Sequence, residues 1–479
     1  MHEIVTSPED YLYISAKDYT GENGQINIIC RMIQVFKSAG MNFFDSERQI
    51  ELFHTILRLQ SIKVLSLHVL SNMNDMKILV RQHYLDKIEK YLGKDTIIVL
   101  TGQRRVGKSY TLRMILDLKS KDENNNVIYV DKEKKAFDHI KTYQDLNAYI
   151  DAHYQAGKMN YILIDEVQEI EEFERTVRSY RTEPDAEVIV TGSNAKMLSK
   201  ELSTIIGGRY KEIYVQSLDY KEFLQFHNLQ DGDDALAKYI QFGGLPGLKK
   251  MGLDEDDAIE YQKDVLNTVL LKDVISRNNI RNVSFLEKLT GFIADNIGKI
   301  ISASSISKFM KSQGTTVSSD TVIDYAQYLE DAYIIHKVNR YDIHGKRLFE
   351  SNDKFYFEDH GLRNAQAEGT REGDIEKVIE NIIYQHLIGL GYKVNVGQLQ
   401  ASEIDFVCTK KAGTKRIYIQ AAYIISNDET REREFGNLRN IKDNYPKYVV
   451  SMTPGVTRND DNGIIHLHLR NFLMLENLD

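Results

Sequence analysis

The residues best equipped for chemistry form one octapeptide, GQRRVGKS at 102–109. It fits G-x-x-x-x-G-K-[ST] at every fixed position, the pattern of a loop that cradles phosphate groups. Gly102 and Gly107 permit a tight turn in which successive main-chain amides point at phosphate oxygens. A helix opening near Lys108 adds its N-terminal dipole to the attraction. Lys108 can reach β- and γ-phosphates, and Ser109 can offer its hydroxyl to Mg²⁺. The spacing therefore implies ATP with Mg²⁺ as the ligand. The residues expected to line it are Gly102, Gln103, Arg104, Arg105, Val106, Gly107, Lys108, Ser109 and Tyr110. Arg104 and Arg105 could contact nucleotide, DNA or a neighbouring chain, or simply be solvated.

Three further stretches complete the chemistry. YILIDE at 161–166 is an apolar strand ending in two acids. Such a strand delivers carboxylates to the carboxyl edge of a sheet, where a phosphate loop also sits. Asp165 would coordinate Mg²⁺, directly or through water, and Glu166 would orient and activate the attacking water as general base. VIVTGSN at 188–194 ends another strand, and Asn194, with Ser193 next, could contact a γ-phosphate or position water. IIGGRYKEI at 205–213 carries Arg209. Its guanidinium could act as an arginine finger, in its own site or in that of a neighbouring subunit, which would make the chain a homo-oligomer.

Such a site needs a particular scaffold. From about 80 to 215, apolar runs of four to six residues alternate with amphipathic helical stretches. The strand candidates are 96–102, 126–131, 161–166 and 187–193. Short apolar runs separated by helices indicate a parallel α/β sheet buried on both faces. The stretch 217–300 reads as helical. Residues 301–350 read as two helices followed by a basic hairpin, IIHKVNRYDIHGKRLF, the layout of a winged helix. A last α/β unit fills 351–479. Residues 1–75 read as a helical extension, and Met73 or Met76 would also make a natural start.

Bulk properties narrow the classes. The chain has 479 residues, enough for about three domains. A net charge of −9 argues against a protein coated in basic patches. Two cysteines, Cys30 and Cys408, offer neither a metal spacing nor a disulfide framework, which fits a reducing cytoplasm. No secretory signal opens the sequence, and no apolar run approaches the roughly 20 residues that span a bilayer.

Taken together, TGQRRVGKS (101–109), YILIDEVQ (161–168), VTGSNAKMLS (190–199), GGRY (207–210), SLDYKEF (217–223), FGGLPG (242–247) and SEIDFV (402–407) resemble the AAA-type ATPases of bacteria and archaea that carry an uncharacterised C-terminal domain. The resemblance spans about 78 to 479. It implies a P-loop AAA-type core at 76–216, a helical region at 217–300, a winged helix at 301–350 and a restriction-endonuclease-like α/β domain at 351–479. The tail resembles the PD-(D/E)xK nuclease fold, with Glu380 and Asp405 in the first two metal-binding positions and Glu403 nearby. The acid–x–Lys positions hold Gln420 and Ala422, which cannot supply the missing carboxylate and ammonium, so nuclease activity is not expected. Lys337, Arg340, Lys346 and Arg347 would form a phosphate-facing wing. The candidate recognition helix, SSDTVIDYAQYLEDAY, is acidic and would be repelled by DNA. The function expected is Mg-dependent ATP hydrolysis coupled to conformational change on DNA or a protein partner. The alternative is a nucleotide-switched binding module with little turnover.

Overall fold

The computed structural model describes residues 80–195, 208–348, 352–367, 372–399, 402–410, 415–456, 458–461 and 463–478. All of them belong to one compact unit, Leu79–Asp479. The expected extension at 1–75, the alternative starts and Cys30 lie outside the described residues.

The first layer is a five-stranded sheet with the order β2-β3-β4-β1-β5, parallel throughout. Its strands are β1 (Ile97–Thr101), β2 (Asn125–Asp131), β3 (Met159–Asp165), β4 (Ala186–Gly192) and β5 (Tyr210–Tyr214). All of β1 is buried, as are all but the first residues of β3 and β4. That is why these strands read as unbroken apolar runs. β5 joins the sheet beyond β1, with Ile97 opposite Tyr210 and Thr101 opposite Tyr214. Its sequence, YKEIY, is half polar because it is an edge strand, so no apolar run announces it.

The helical stretch that follows is divided. Leu218, Tyr220, Phe223, Leu236 and Tyr239 share a core with Ile379, Ile383, Phe406 and Ile419 of the tail. The helix Glu255–Val269 instead runs into a π-helical turn, Leu270–Ile275, which returns to the first layer.

In the region read as a winged helix, the strand partners differ from those expected. Its two helices exist, at Ala303–Ser312 and Ser319–Asp331. The segment read as one hairpin does not pair with itself alone. β6 (Ile335–Val338) pairs with β9 (Lys354–Phe357). β7 (Arg340–Asp342) pairs with β8 (Arg347–Leu348) and lies parallel to β10 (Lys393–Leu399). β7 and β8 thus form one edge of an eight-stranded sheet completed by β11 (Ser402–Lys410), β12 (Lys415–Ala422), β13 (Lys447–Ser451), β14 (Arg458–Asp461) and β15 (Ile464–His468). The boundary expected at 350 therefore cuts through a continuous sheet. Three of the four basic residues have polar partners of their own. Lys337 faces Asp353 at 3.5 Å, Arg347 faces Asp342 at 3.7 Å, and Arg340 is hydrogen-bonded to Gln398.

Candidate nucleotide-binding site

The strand order decides which side chains meet. Because β4 lies between β1 and β3, the carboxyl ends of three strands sit side by side. They bear the phosphate loop after Thr101, the acids Asp165 and Glu166, and Thr191–Ser193. The loop then enters the helix Lys108–Lys119. Gly102 sits at φ 138°, and a Cβ there would lie 2.1 Å from the Val215 carbonyl oxygen. Gly107, at φ 106°, caps the helix in the left-handed region. Both positions need glycine, the first for space and backbone and the second for backbone alone.

Lys108 is buried, and its ammonium donates to the carbonyls of Gly102 and Gln103, each at 2.9 Å. Burial lowers its pKa, while the charges of Glu166 and Asp165 pull the other way. Lysine and acids therefore occupy one electrostatic cluster. Gln103 is fully buried, and neither of its amide atoms has a hydrogen-bond partner among the described residues. Tyr110 is 41% exposed and lies against Arg113, on the outside of the helix.

Asp165 is completely buried. The Thr191 hydroxyl donates to its Oδ1 at 2.5 Å and accepts from the Glu166 amide at 2.9 Å, so one side chain fixes both acids. Burial pushes the Asp165 carboxyl up to about 6. The Thr191 hydrogen bond and the nearby Ser109 hydroxyl oppose the rise, and the charges of Glu166 and Asp131 add to it. Even so, Ser109 makes no close hydrogen bond to Oδ2, which is buried without a partner among the described residues. A buried carboxylate oxygen of this kind, beside a hydroxyl, suits a hard cation that takes oxygen ligands. The chain thus fits Mg²⁺ at Ser109 and Asp165, and it fits a triphosphate along the loop amides and Lys108.

Glu166 stands at φ 52°, a strained conformation for a non-glycine residue. Its Oε2 accepts from Gln168 and, at 3.2 Å, from the Ser193 hydroxyl, and Arg104 lies 3.8 Å away. Asn194 is buried one residue beyond Ser193, whose hydroxyl lies 3.2 Å from the Glu166 carboxylate. Thr191 and Gln168 escape a reading of the sequence alone. Both fall inside the stretches singled out there, at the two positions that flank the acids in space.

Two other residues carry no sequence signal. Arg81 is buried before the helix Gln82–Glu89 and makes a two-pronged ion pair with Glu222, each contact 2.7 Å. It also donates to the carbonyls of Val106 in the loop, at 3.1 Å, and Gln216, at 2.8 Å. Glu222 meanwhile completes a capping box with Asp219 at the start of the helix Tyr220–His227, which explains the SLDYKEF stretch. Asp273, from the π-helical turn, bonds Arg104 and Ser193.

Arg209 is placed away from this cluster. Its carbonyl accepts from the Ile97 amide, at the amino end of β1, and its guanidinium faces Asp95 at 3.5 Å. The phosphate loop follows the carboxyl end of the same strand, four residues and about 13 Å farther on. Arg209 thus lies at the opposite end of the strand from the phosphate loop.

In the tail, Glu380, Glu403 and Asp405 do converge, but on an ammonium. Lys354 of β9, only 2% exposed, lies 2.7 Å from Glu380, 2.6 Å from Glu403 and 3.5 Å from Asp405. Burial lowers its pKa, but the three carboxylates outweigh that and hold it charged, above its ordinary range. Gln420 accepts from the Asp405 amide at 3.4 Å. Among the described residues no group of three His, Cys, Asp or Glu side chains is arranged to hold a metal. No described helix is long and apolar enough to cross a membrane.

Comparison with known proteins fits this arrangement. Residues 94–224 match an AAA domain, and residues 233–372 match a domain of unknown function. An uncharacterized protein of Haemophilus influenzae is 32% identical over 378 residues, covering 78% of this chain and 92% of the relative. One of Methanocaldococcus jannaschii is 27% identical, covering 76% and 86%. Among solved structures, the Walker-type ATPase of Pyrococcus abyssi aligns at 17% identity and a TM-score of 0.44, over 60% of this chain and 96% of that one. With 92% of the Haemophilus influenzae protein covered at 32% identity, the chain belongs to the same family as that protein, and its residues 94–224, which hold the phosphate loop, match an AAA domain.

Proposed function

We propose that this chain binds Mg-ATP on the 102–109 loop and hydrolyses it. Lys108 and the loop amides grip the phosphates, and Ser109 and Asp165 hold Mg²⁺. When bound, the metal supplies charge neutralisation at the phosphate oxygens. Glu166 accepts the proton of the attacking water, and Ser193 orients its carboxylate. The observation that carries this reading is the pairing of both acids through Thr191, which sets a buried carboxylate and a polar-lined one beside the lysine of the loop. Arg209 lies on the far edge of the sheet, so any contribution it makes to a γ-phosphate comes in trans, from an assembled neighbour.

The turnover is coupled to motion of the helical region and tail, acting on DNA or a protein partner. A second reading, a nucleotide switch with little turnover, is favoured by one feature: Glu166 is already engaged by Gln168 and Ser193. Steady-state ATP hydrolysis by the intact chain, compared with Glu166→Gln, separates the two. We expect the variant to lose at least about 100-fold in kcat, the scale of general-base catalysis, while holding nucleotide as tightly as before. Equal rates in the two proteins would remove Glu166 as the base.

A further inference from the structure

The π-helical turn Leu270–Ile275 belongs to the helical region, yet it delivers a fully buried carboxylate into the phosphate site. Asp273 makes four polar contacts there. Its Oδ2 accepts from Arg104 Nε at 2.9 Å. Its Oδ1 accepts from Arg104 Nη2 at 3.2 Å and from the Ser193 hydroxyl at 3.2 Å, and it lies 3.1 Å from Arg277 Nη2. Arg104 in turn faces Glu133 at 3.4 Å and Glu166 at 3.8 Å, and Arg277 faces Glu169 at 3.5 Å. The Ser193 hydroxyl has one proton to give and lies 3.2 Å from both Asp273 Oδ1 and Glu166 Oε2, so the two carboxylates share it. Through Arg104 and through Ser193, Asp273 thus reaches the expected base within one side chain.

Stability alone is a poor explanation for such a group. A buried ion pair seldom out-stabilises a packed apolar pair of the same volume. A π-helical turn also gives up regular α-helical hydrogen bonding, and such turns gather at functional sites. What Asp273 provides is geometry. Two parallel hydrogen bonds to a planar guanidinium fix its direction as well as its distance. The same carboxylate shares the single Ser193 proton with Glu166, and so sets where that hydroxyl points.

We infer that Asp273 is a positioning residue for the hydrolysis proposed above: from the helical region it holds Arg104 of the phosphate loop and Ser193 of the segment after β4 around Glu166, so that turnover, and not nucleotide binding, depends on it. The inference rests on that reading of the site. It also gives the helical region a direct hold on the chemistry, since any movement of the π-helical turn releases both partners together.

The test is a double-mutant cycle on the full chain. kcat and KM for ATP are measured, along with the dissociation constant of a fluorescent ATP analogue, for wild type, Asp273→Asn, Arg104→Ala and the pair combined. Asp273→Asn is expected to lower kcat by roughly 10- to 100-fold while nucleotide affinity stays within about threefold. The double variant should be no slower than the slower single variant, because the two residues act as a unit. If Asp273→Asn does not fold, Arg104→Met combined with Asp273→Leu takes its place, because it leaves no unpaired charge between the two, and the same split between kcat and affinity is read. Wild-type kcat in either protein overturns the inference, as does a parallel fall of kcat and affinity, or losses that multiply in the cycle. A wild-type chain that hydrolyses no ATP overturns the hydrolysis reading first, and this inference with it; a working wild type matched by Asp273→Asn overturns this inference alone.

Discussion

Replacing Asp165 by asparagine should stabilise the protein more at high pH than at low pH. The side chain is wholly buried, and burial raises its pKa from 3.8 to about 6. A shift of about two units corresponds to about 3 kcal/mol between the charged and neutral forms. The folded protein favours the neutral acid. The stability contributed by that preference is full below pH 3.8 and is lost as pH rises through about 6. Asparagine keeps the shape, still accepts from the Thr191 hydroxyl and never ionises. Its amide nitrogen takes the place of Oδ2, which has no partner among the described residues, at a pH-independent cost of about 1–3 kcal/mol. That cost cancels in a comparison across pH. Between about pH 4.5 and about pH 8, the variant should therefore gain about 2 kcal/mol on the wild type. Guanidinium unfolding followed by circular dichroism, at both pH values and without nucleotide, reads the difference. Mg²⁺ also needs the ionised carboxylate, so protection of the wild type by Mg-ATP should grow with pH through about 6 and be missing from the variant. A gap between the two proteins that is the same at both pH values would refute a strained, buried acid at this position.

Two further outcomes follow from the placement of single cations. Lys354→Met leaves Glu380, Glu403 and Asp405 facing one another; it should cost about 3–5 kcal/mol in the tail, read by hydrogen exchange of β11 and β12, with little change in ATP affinity. Arg209→Ala should leave turnover unchanged at dilutions where sizing shows a single chain, and lower it only where ATP drives assembly; a loss in the single chain would contradict the position of Arg209 at the amino edge of the sheet.

The phosphate layer is legible in the sequence because its strands are buried on both faces and its loop has fixed glycine positions. Burial makes each strand an apolar run, and the backbone demands of Gly102 and Gly107 leave a pattern in one short window. β5 is not legible because it is an edge strand among the described residues and its residues are mixed. The segment from Ile335 to Leu348 is legible as β structure but not in its partners. Val338 at the end of β6 pairs with Lys354 of β9, and Arg340 of β7 lies opposite Val396 of β10, and local sequence carries no record of such register. Lys354 shows the same limit. The acid–x–Lys pattern places its ammonium at Ala422, whereas a lysine from another strand fills the centre of the acids.

The same non-local logic explains why the helical region matters to the site. Arg81 ties the loop carbonyl of Val106 to Glu222, whose helix packs its Tyr220 and Phe223 into the tail's core. Asp273 ties Arg104 of the same loop to a π-helical turn at the end of a different helix. The two links enter the loop at separate residues and leave it through separate elements. A shift of the loop must therefore strain one buried ion pair or the other, unless tail and helical region move with it. Each pair is expensive to break by one partner alone, about 3–5 kcal/mol. Phosphate contacts at a loop are charge-assisted bonds of the same kind as these pairs, which is the physical basis of the proposal that nucleotide binding moves the helical region and tail.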